Sequence, residues 1–203
     1  MSGDNRVETI APFSKEISKF SDDGERFFGA YGPRIIDQIS YVAKTLHYDN
    51  DSRQAVISIW RPNPPVSKDI PCTVSLQWII RDGKLHCFAN MRSSDVWLGV
   101  PYDWFNFSAI SLGLLVMLNN RKDPALCPLV LGNLYFYAAS QHLYETEFEK
   151  VRFILFECCN YISIRPVDDS DFRTYDSVVE HLRWAADGHT NTTRPSKWLK
   201  EVI

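Results

Sequence analysis

The sequence predicts an α+β fold on three observations. Segments rich in β-branched and aromatic residues crowd between residues 54 and 91. Helical periodicities flank them on both sides, and strands and helices do not alternate strictly as a parallel βαβ unit requires. At 203 residues the chain has room for one domain. An apolar fraction of 45% with 13% aromatic residues is enough to fill a core and argues against disorder.

In chain order, residues 1–30 are polar, broken at Ser21-Asp22-Asp23-Gly24 and again at Gly29-Ala30-Tyr31-Gly32-Pro33. From Arg34 to Tyr48, Ile35, Ile39, Val42 and Leu46 recur at spacings of three and four, the stripe of an amphipathic helix. Residues 54–60 read as a strand, followed by a proline-rich loop, Arg61-Pro62-Asn63-Pro64-Pro65. Two strands over 73–81 and 84–91 are joined by Asp82-Gly83, a hairpin signal. Residues 102–119 are nearly all apolar or small and suit a buried helix, with a strand over 128–136 and a short helix over 137–147. The stretch 151–164 reads as a strand, and 174–186 and 196–202 as helices.

Composition narrows the function. A net charge of -3 gives no basic excess for nucleic acid, so any bound anion must be met by a few placed arginines. No apolar run reaches the length of about 18 residues that would span a bilayer, and the polar start Met1-Ser2-Gly3-Asp4 lacks the core of a secretory signal. Cys72, Cys87, Cys127, Cys158 and Cys159 form no CxxC pair and are odd in number, which favours a reducing cytoplasm over a disulfide framework or structural zinc. His142, His181 and His189 have no ligand spacing, and no metal site is expected.

The chemistry concentrates between Asp51 and Asp103. Cys72 stands in Asp69-Ile70-Pro71-Cys72-Thr73 at a strand entrance, where proline fixes the backbone and donates nothing to the ladder. A thiol held there is either inert core or a rigid nucleophile at a pocket floor. Arg92-Ser93-Ser94-Asp95 is either a turn capped by Asp95 or part of an anion clamp. Asp103, inside an apolar run, is costly to bury unpaired, so it either caps a helix or points into a polar pocket. Trp60, Trp78, Trp97 and Trp104 lack interleaved basic residues and suit core or pocket wall.

Taken together, Asp51-Ser52-Arg53-Gln54, Pro71-Cys72-Thr73, Arg92-Ser93-Ser94-Asp95-Val96-Trp97-Leu98-Gly99-Val100-Pro101 and Gly132-Asn133-Leu134-Tyr135-Phe136-Tyr137 resemble the thymidylate synthases and their cytidylate and deoxycytidylate hydroxymethylase relatives. The resemblance runs from about Gly3 to about Tyr144, and Arg-Ser-x-Asp-x-x-x-Gly downstream of Pro-Cys is its specific part. It implies a mixed β-sheet covered by helices, one domain over 1–203, and a homodimer packed through the sheet. The helix bearing the family's catalytic glutamate has no counterpart ahead of Gly3-Asp4-Asn5.

The same resemblance implies a cysteine thiolate that adds to C6 of a pyrimidine nucleotide, turning C5 into a nucleophile for the one-carbon unit of 5,10-methylenetetrahydrofolate. Carried over by position, Cys72 is the nucleophile, and Arg92 and Ser93 hold phosphate, with Arg92 also favouring the thiolate. Arg53 reaches the partner subunit's phosphate, and Gln54 stands where a second arginine is common. Asp95 faces the base, Tyr137 meets the sugar, Tyr135 replaces the histidine beside it, and Tyr31 belongs to a proton-handling network.

At position 103 the synthases carry asparagine, whose amide matches uracil. Asp103 resembles the hydroxymethylase choice, as does Thr73, because a carboxylate accepts from the amino group of cytosine. The expected enzyme is a methylenetetrahydrofolate-dependent cytidylate or deoxycytidylate 5-hydroxymethylase. A thymidylate synthase acting on deoxyuridylate and a non-catalytic nucleotide-binding relative are the alternatives.

Overall fold

A computed structural model describes residues 3–13, 15–120 and 128–157 of the chain. The described elements run α1 (Val7–Ile10), two 3-10 turns, α2 (Tyr31–Tyr48), β1 (Val56–Ser58), β2 (Thr73–Arg81), β3 (Lys84–Met91) and β4 (Ser94–Asp95). After these come α3 (Gly99–Asn119), β5 (Val130–Ala138), β6 (Gln141–His142), a 3-10 turn and α4 (Phe148–Glu157). The principal sheet has the order β1-β2-β3-β5. Its first three strands are antiparallel and β5 runs parallel to β3, so the sheet is mixed and the fold is α+β.

The β2–β3 hairpin turns on Asp82 and Gly83, whose φ values of 51° and 72° are the left-handed pair a two-residue connection needs. Along β2, Leu76, Trp78 and Ile80 point into the core, as do Leu85, Cys87, Ala89 and Met91 on β3. The α2 stripe Ile35, Ile39, Val42 and Leu46 is buried against them. Phe107, Leu114, Leu115 and Leu118 of α3 close the same core. Trp78 is fully buried, and its indole N–H donates to Ser111 Oγ at 2.9 Å, which donates in turn to the Phe107 carbonyl at 2.7 Å. That chain satisfies the only polar atom of the indole within an apolar interior.

The opposite face of the sheet is different. Val56, Gln77, Phe88 and Tyr135 stand side by side across four strands, with Ser58, Ser75, Asn90 and Tyr137 in the next row, and all remain partly or wholly exposed. Tyr135 lies flat on Phe88, ring centroids 4.6 Å apart.

Three local expectations are corrected. The helix expected over 137–147 is absent: β5 continues to Ala138 because parallel pairing with β3 as far as Met91 satisfies its backbone, and β6 and the Glu145–Glu147 turn follow. The strand expected over 151–164 is helical through Glu157, where Glu147–Lys150 and Glu149–Arg152 pair at helical spacing. The strand expected over 54–60 is regular only at Val56–Ser58, although the Ala55 carbonyl and the Ile59 and Trp60 N–H groups still bond to the neighbouring strand β2. Residues 158–164 and the helices expected over 174–186 and 196–202 lie outside the described residues, as do Cys127, Cys158 and Cys159. Among the described residues no helix is long and apolar enough to cross a membrane.

Candidate active site

The site forms where the start of β2, the end of β3 and the starts of α2 and α3 meet. Cys72 directly precedes the first residue of β2 and is half-buried. Arg92, just beyond β3, donates from Nε to the Pro71 carbonyl and from Nη2 to the Ile70 carbonyl, both at 3.0 Å. Its backbone N–H donates to the Cys72 carbonyl at 2.8 Å. The guanidinium carbon lies 5.8 Å from the Trp60 ring centre. Arg92 is nonetheless exposed, so its remaining N–H groups are open to an anion.

On the other side of Cys72, Thr73 is fully buried. Its N–H donates to the Tyr31 phenol oxygen at 3.2 Å, and its hydroxyl oxygen lies 2.8 Å from the same atom and 3.1 Å from Met91 Sδ. Tyr31 is the first residue of α2, so helix geometry fixes where the phenol can reach. Four residues into α3, Asp103 brings a carboxylate to the same place. It is not a cap: α3 begins at Gly99 with Leu98 as its N-cap residue and no side-chain capping bond, and Asp95 closes the turn ahead of the helix by accepting from the N–H groups of Trp97 at 3.0 Å and Leu98 at 3.1 Å. Pro101 falls in the first turn of α3, where a missing N–H costs nothing.

The electrostatics follow from this crowding. Burial pushes the Asp103 carboxyl up to about 6. Burial first, and then the Asp103 charge, push the Tyr31 phenol well above its usual range, against the pull of the Thr73 hydrogen bonds. The Cys72 thiol is also raised. Burial is the main cause, Arg92 pulls the other way, and Asp103 and Asp69 add to the rise. Arg92 therefore favours the thiolate, as the resemblance implies, but does not outweigh burial. Cys87, deep in the core, is pushed up to about 12 by burial, an inert thiol.

Of the residues singled out from sequence, Cys72, Tyr31, Arg92 and Asp103 converge. Tyr137 and Ser93 belong to the same end of the sheet, since Ala138 pairs with Met91 and Met91 with Thr73. Tyr135 sits further along β5 on the open face, its hydroxyl accepting from Asn133 Nδ2 at 3.2 Å. Arg53 is exposed ahead of β1, and its carbonyl accepts from Gln77 Nε2 on that open face at 2.8 Å. Asp69 was missed. Its carboxylate accepts the Gly29 N–H at 2.6 Å, and burial raises it against that bond. The flanking Pro-Cys was a signal, but the partner lies forty residues upstream.

A half-buried thiol at a strand entrance, a guanidinium on its loop and a half-buried carboxylate whose charge acts on the thiol make up the candidate site. The family model described as thymidylate synthase matches residues 13–161. The chain belongs to the thymidylate synthase family. Its fold is similar to thermostable thymidylate synthase A from Bacillus subtilis, with a TM-score of 0.66 and 22% identity over 86% of this chain and 66% of that one. It is also similar to thymidylate synthase from T4 phage, with a TM-score of 0.60 and 21% identity over 92% of this chain and 70% of that one. The chain thus spans about two thirds of the length of these structures.

Proposed function

We propose that this protein is a homodimeric one-carbon transferase acting at C5 of a cytidine or deoxycytidine monophosphate, a cytidylate 5-hydroxymethylase. The observation that carries this reading is Asp103, a half-buried carboxylate raised to about 6 by burial and close enough to Tyr31 and Cys72 for its charge to act on both. Cytosine offers an amino group and an unprotonated N3. A carboxyl group matches that edge with one oxygen accepting from the amino group and one proton shared with N3. Uracil presents O4 as an acceptor, for which the ionised carboxylate has no donor, and the mismatch leaves a polar group unpaired.

In this reading, Cys72 loses its proton and adds to C6, which makes C5 nucleophilic; Arg92 steadies the thiolate and, with Ser93, the phosphate. Tyr31, held by Thr73, is placed to move a proton near the ring. Asp95 shapes the turn beneath the base, and Tyr137 and Tyr135 are assigned to the sugar side. Arg53 serves the phosphate of the partner subunit, and the exposed rows of Phe88, Tyr135, Gln77 and Val56 are the surface on which a second sheet would pack. Methylenetetrahydrofolate supplies the one-carbon unit when bound. The exposed apolar side chains Leu98, Tyr102 and Trp104 stand beside Asp103 on α3 and its approach, and they suit a flat heteroaromatic ring.

The test is release of tritium from C5 of labelled cytidylates and uridylates in the presence of the folate. Release from cytosine but not uracil supports the proposal. Release from uracil alone makes the protein a thymidylate synthase, and binding without release makes it a non-catalytic relative.

A further inference from the structure

We infer that Asp69 is a positioning residue that locks the Cys72 loop to the entrance of α2, and that this carboxylate sets the registry between Cys72 and Tyr31. The inference rests on the reading of Cys72 as nucleophile. Asp69 Oδ2 accepts the Gly29 N–H at 2.6 Å, across forty residues of sequence. The approach is close on every side: a Cβ built on Gly29 would stand 2.4 Å from the Asp69 carbonyl oxygen and 2.9 Å from Oδ1. Only glycine fits there, so the fit constrains both partners. The rest of the loop is tied to the same N-terminal segment. Ser67 Oγ donates to Asp22 Oδ2 at 2.6 Å, the Lys68 N–H to Asp22 Oδ1 at 2.9 Å, and the Asp69 N–H to Ser67 Oγ at 3.0 Å.

The consequence lies two residues past Gly29. Tyr31 receives the Thr73 N–H, so Cys72 is bracketed by Asp69–Gly29 on one side and Thr73–Tyr31 on the other. Arg92 holds the intervening Ile70 and Pro71 carbonyls from the third side. With the loop pinned at three points, the sulfur has little freedom relative to the phenol. A carboxylate is a costly choice here, because its charge works against ionisation of Cys72. The position uses it for a short, charge-assisted bond to a buried N–H, and geometry outweighs the adverse field.

Two variants separate these roles. Asp69→Asn keeps an acceptor for Gly29 and removes the charge, whereas Asp69→Ala removes both. Hydrogen exchange at Ala30, Tyr31, Cys72 and Thr73, and the pH profile of iodoacetamide alkylation at Cys72 mapped by mass spectrometry, are read without any nucleotide. We expect both variants to shift the alkylation profile to lower pH. Asp69→Ala alone should speed exchange across both segments by roughly tenfold or more, with kcat falling more than KM changes and Asp69→Asn restoring most of the loss. Exchange in Asp69→Ala equal to that in Asp69→Asn would overturn the inference. Exchange as expected with no turnover in the parent protein would leave the lock standing and remove the proposed activity instead.

Discussion

The Tyr31 phenol oxygen receives the backbone N–H of Thr73 at 3.2 Å and lies 2.8 Å from its hydroxyl, tying the residue after Cys72 to the first turn of α2. The Thr73 hydroxyl has one proton and two neighbours, Tyr31 and Met91 Sδ. When that proton faces the sulfur, the phenol O–H can donate to Thr73 instead. The pair can thus reorient without breaking the backbone bond.

Tyr31→Phe should leave the buried Thr73 N–H without its acceptor. We expect a loss of about 1–3 kcal/mol in stability, read by denaturant titration, together with a fall in kcat. Unchanged stability would mean the two bonds contribute little.

Asp103→Asn should move preference from cytosine toward uracil nucleotides. Reversal of two hydrogen-bond partners at about 1–3 kcal/mol each corresponds to at least a tenfold change in the kcat/KM ratio. A ratio that does not move would remove Asp103 from base reading.

Acid titration gives an independent check on the same carboxyl. Folded Asp103 keeps its proton up to about 6, whereas an unfolded aspartate loses it near about 4. Between these values the folded state binds more protons, so stability falls as pH rises through the window, and above it the ionised buried group is a standing cost. At pH 7 Asp103→Asn should therefore be more stable than the parent by about 1–2 kcal/mol, after allowance for partial exposure. Binding of cytidylate, if one proton is shared between Asp103 and N3, should weaken above pH 6 by at most about tenfold per unit. Calorimetry at several pH values checks both.

Phe88→Glu on the open sheet face should yield monomers by analytical ultracentrifugation and lose turnover, since Arg53 would no longer reach a partner's phosphate. An active monomer would contradict the dimeric site.

The parts of the fold legible in sequence were those coded locally. The Asp82-Gly83 turn declared its hairpin through residues that tolerate positive φ, and the α2 stripe from Ile35 to Leu46 declared its buried face. One error came where a distant partner decides, since nothing near Tyr137 and Ala138 reveals that β3 is waiting alongside. Another was local: the apolar run Phe153-Ile154-Leu155-Phe156 reads as a strand until the ion pairs at helical spacing just before it are counted. At the site, Cys72, Arg92 and Asp103 were legible because a family pattern names them. Asp69 was not, because its meaning depends on a glycine far upstream.

The most direct test of the account is mass spectrometry of the protein incubated with a 5-fluorocytidylate and methylenetetrahydrofolate. Fluorine cannot leave C5 as a proton does, so addition at C6 should stall with the nucleotide bonded to the peptide carrying Cys72. An adduct on that peptide, absent in Cys72→Ser, is the predicted result; no adduct, or one on another cysteine, would contradict it.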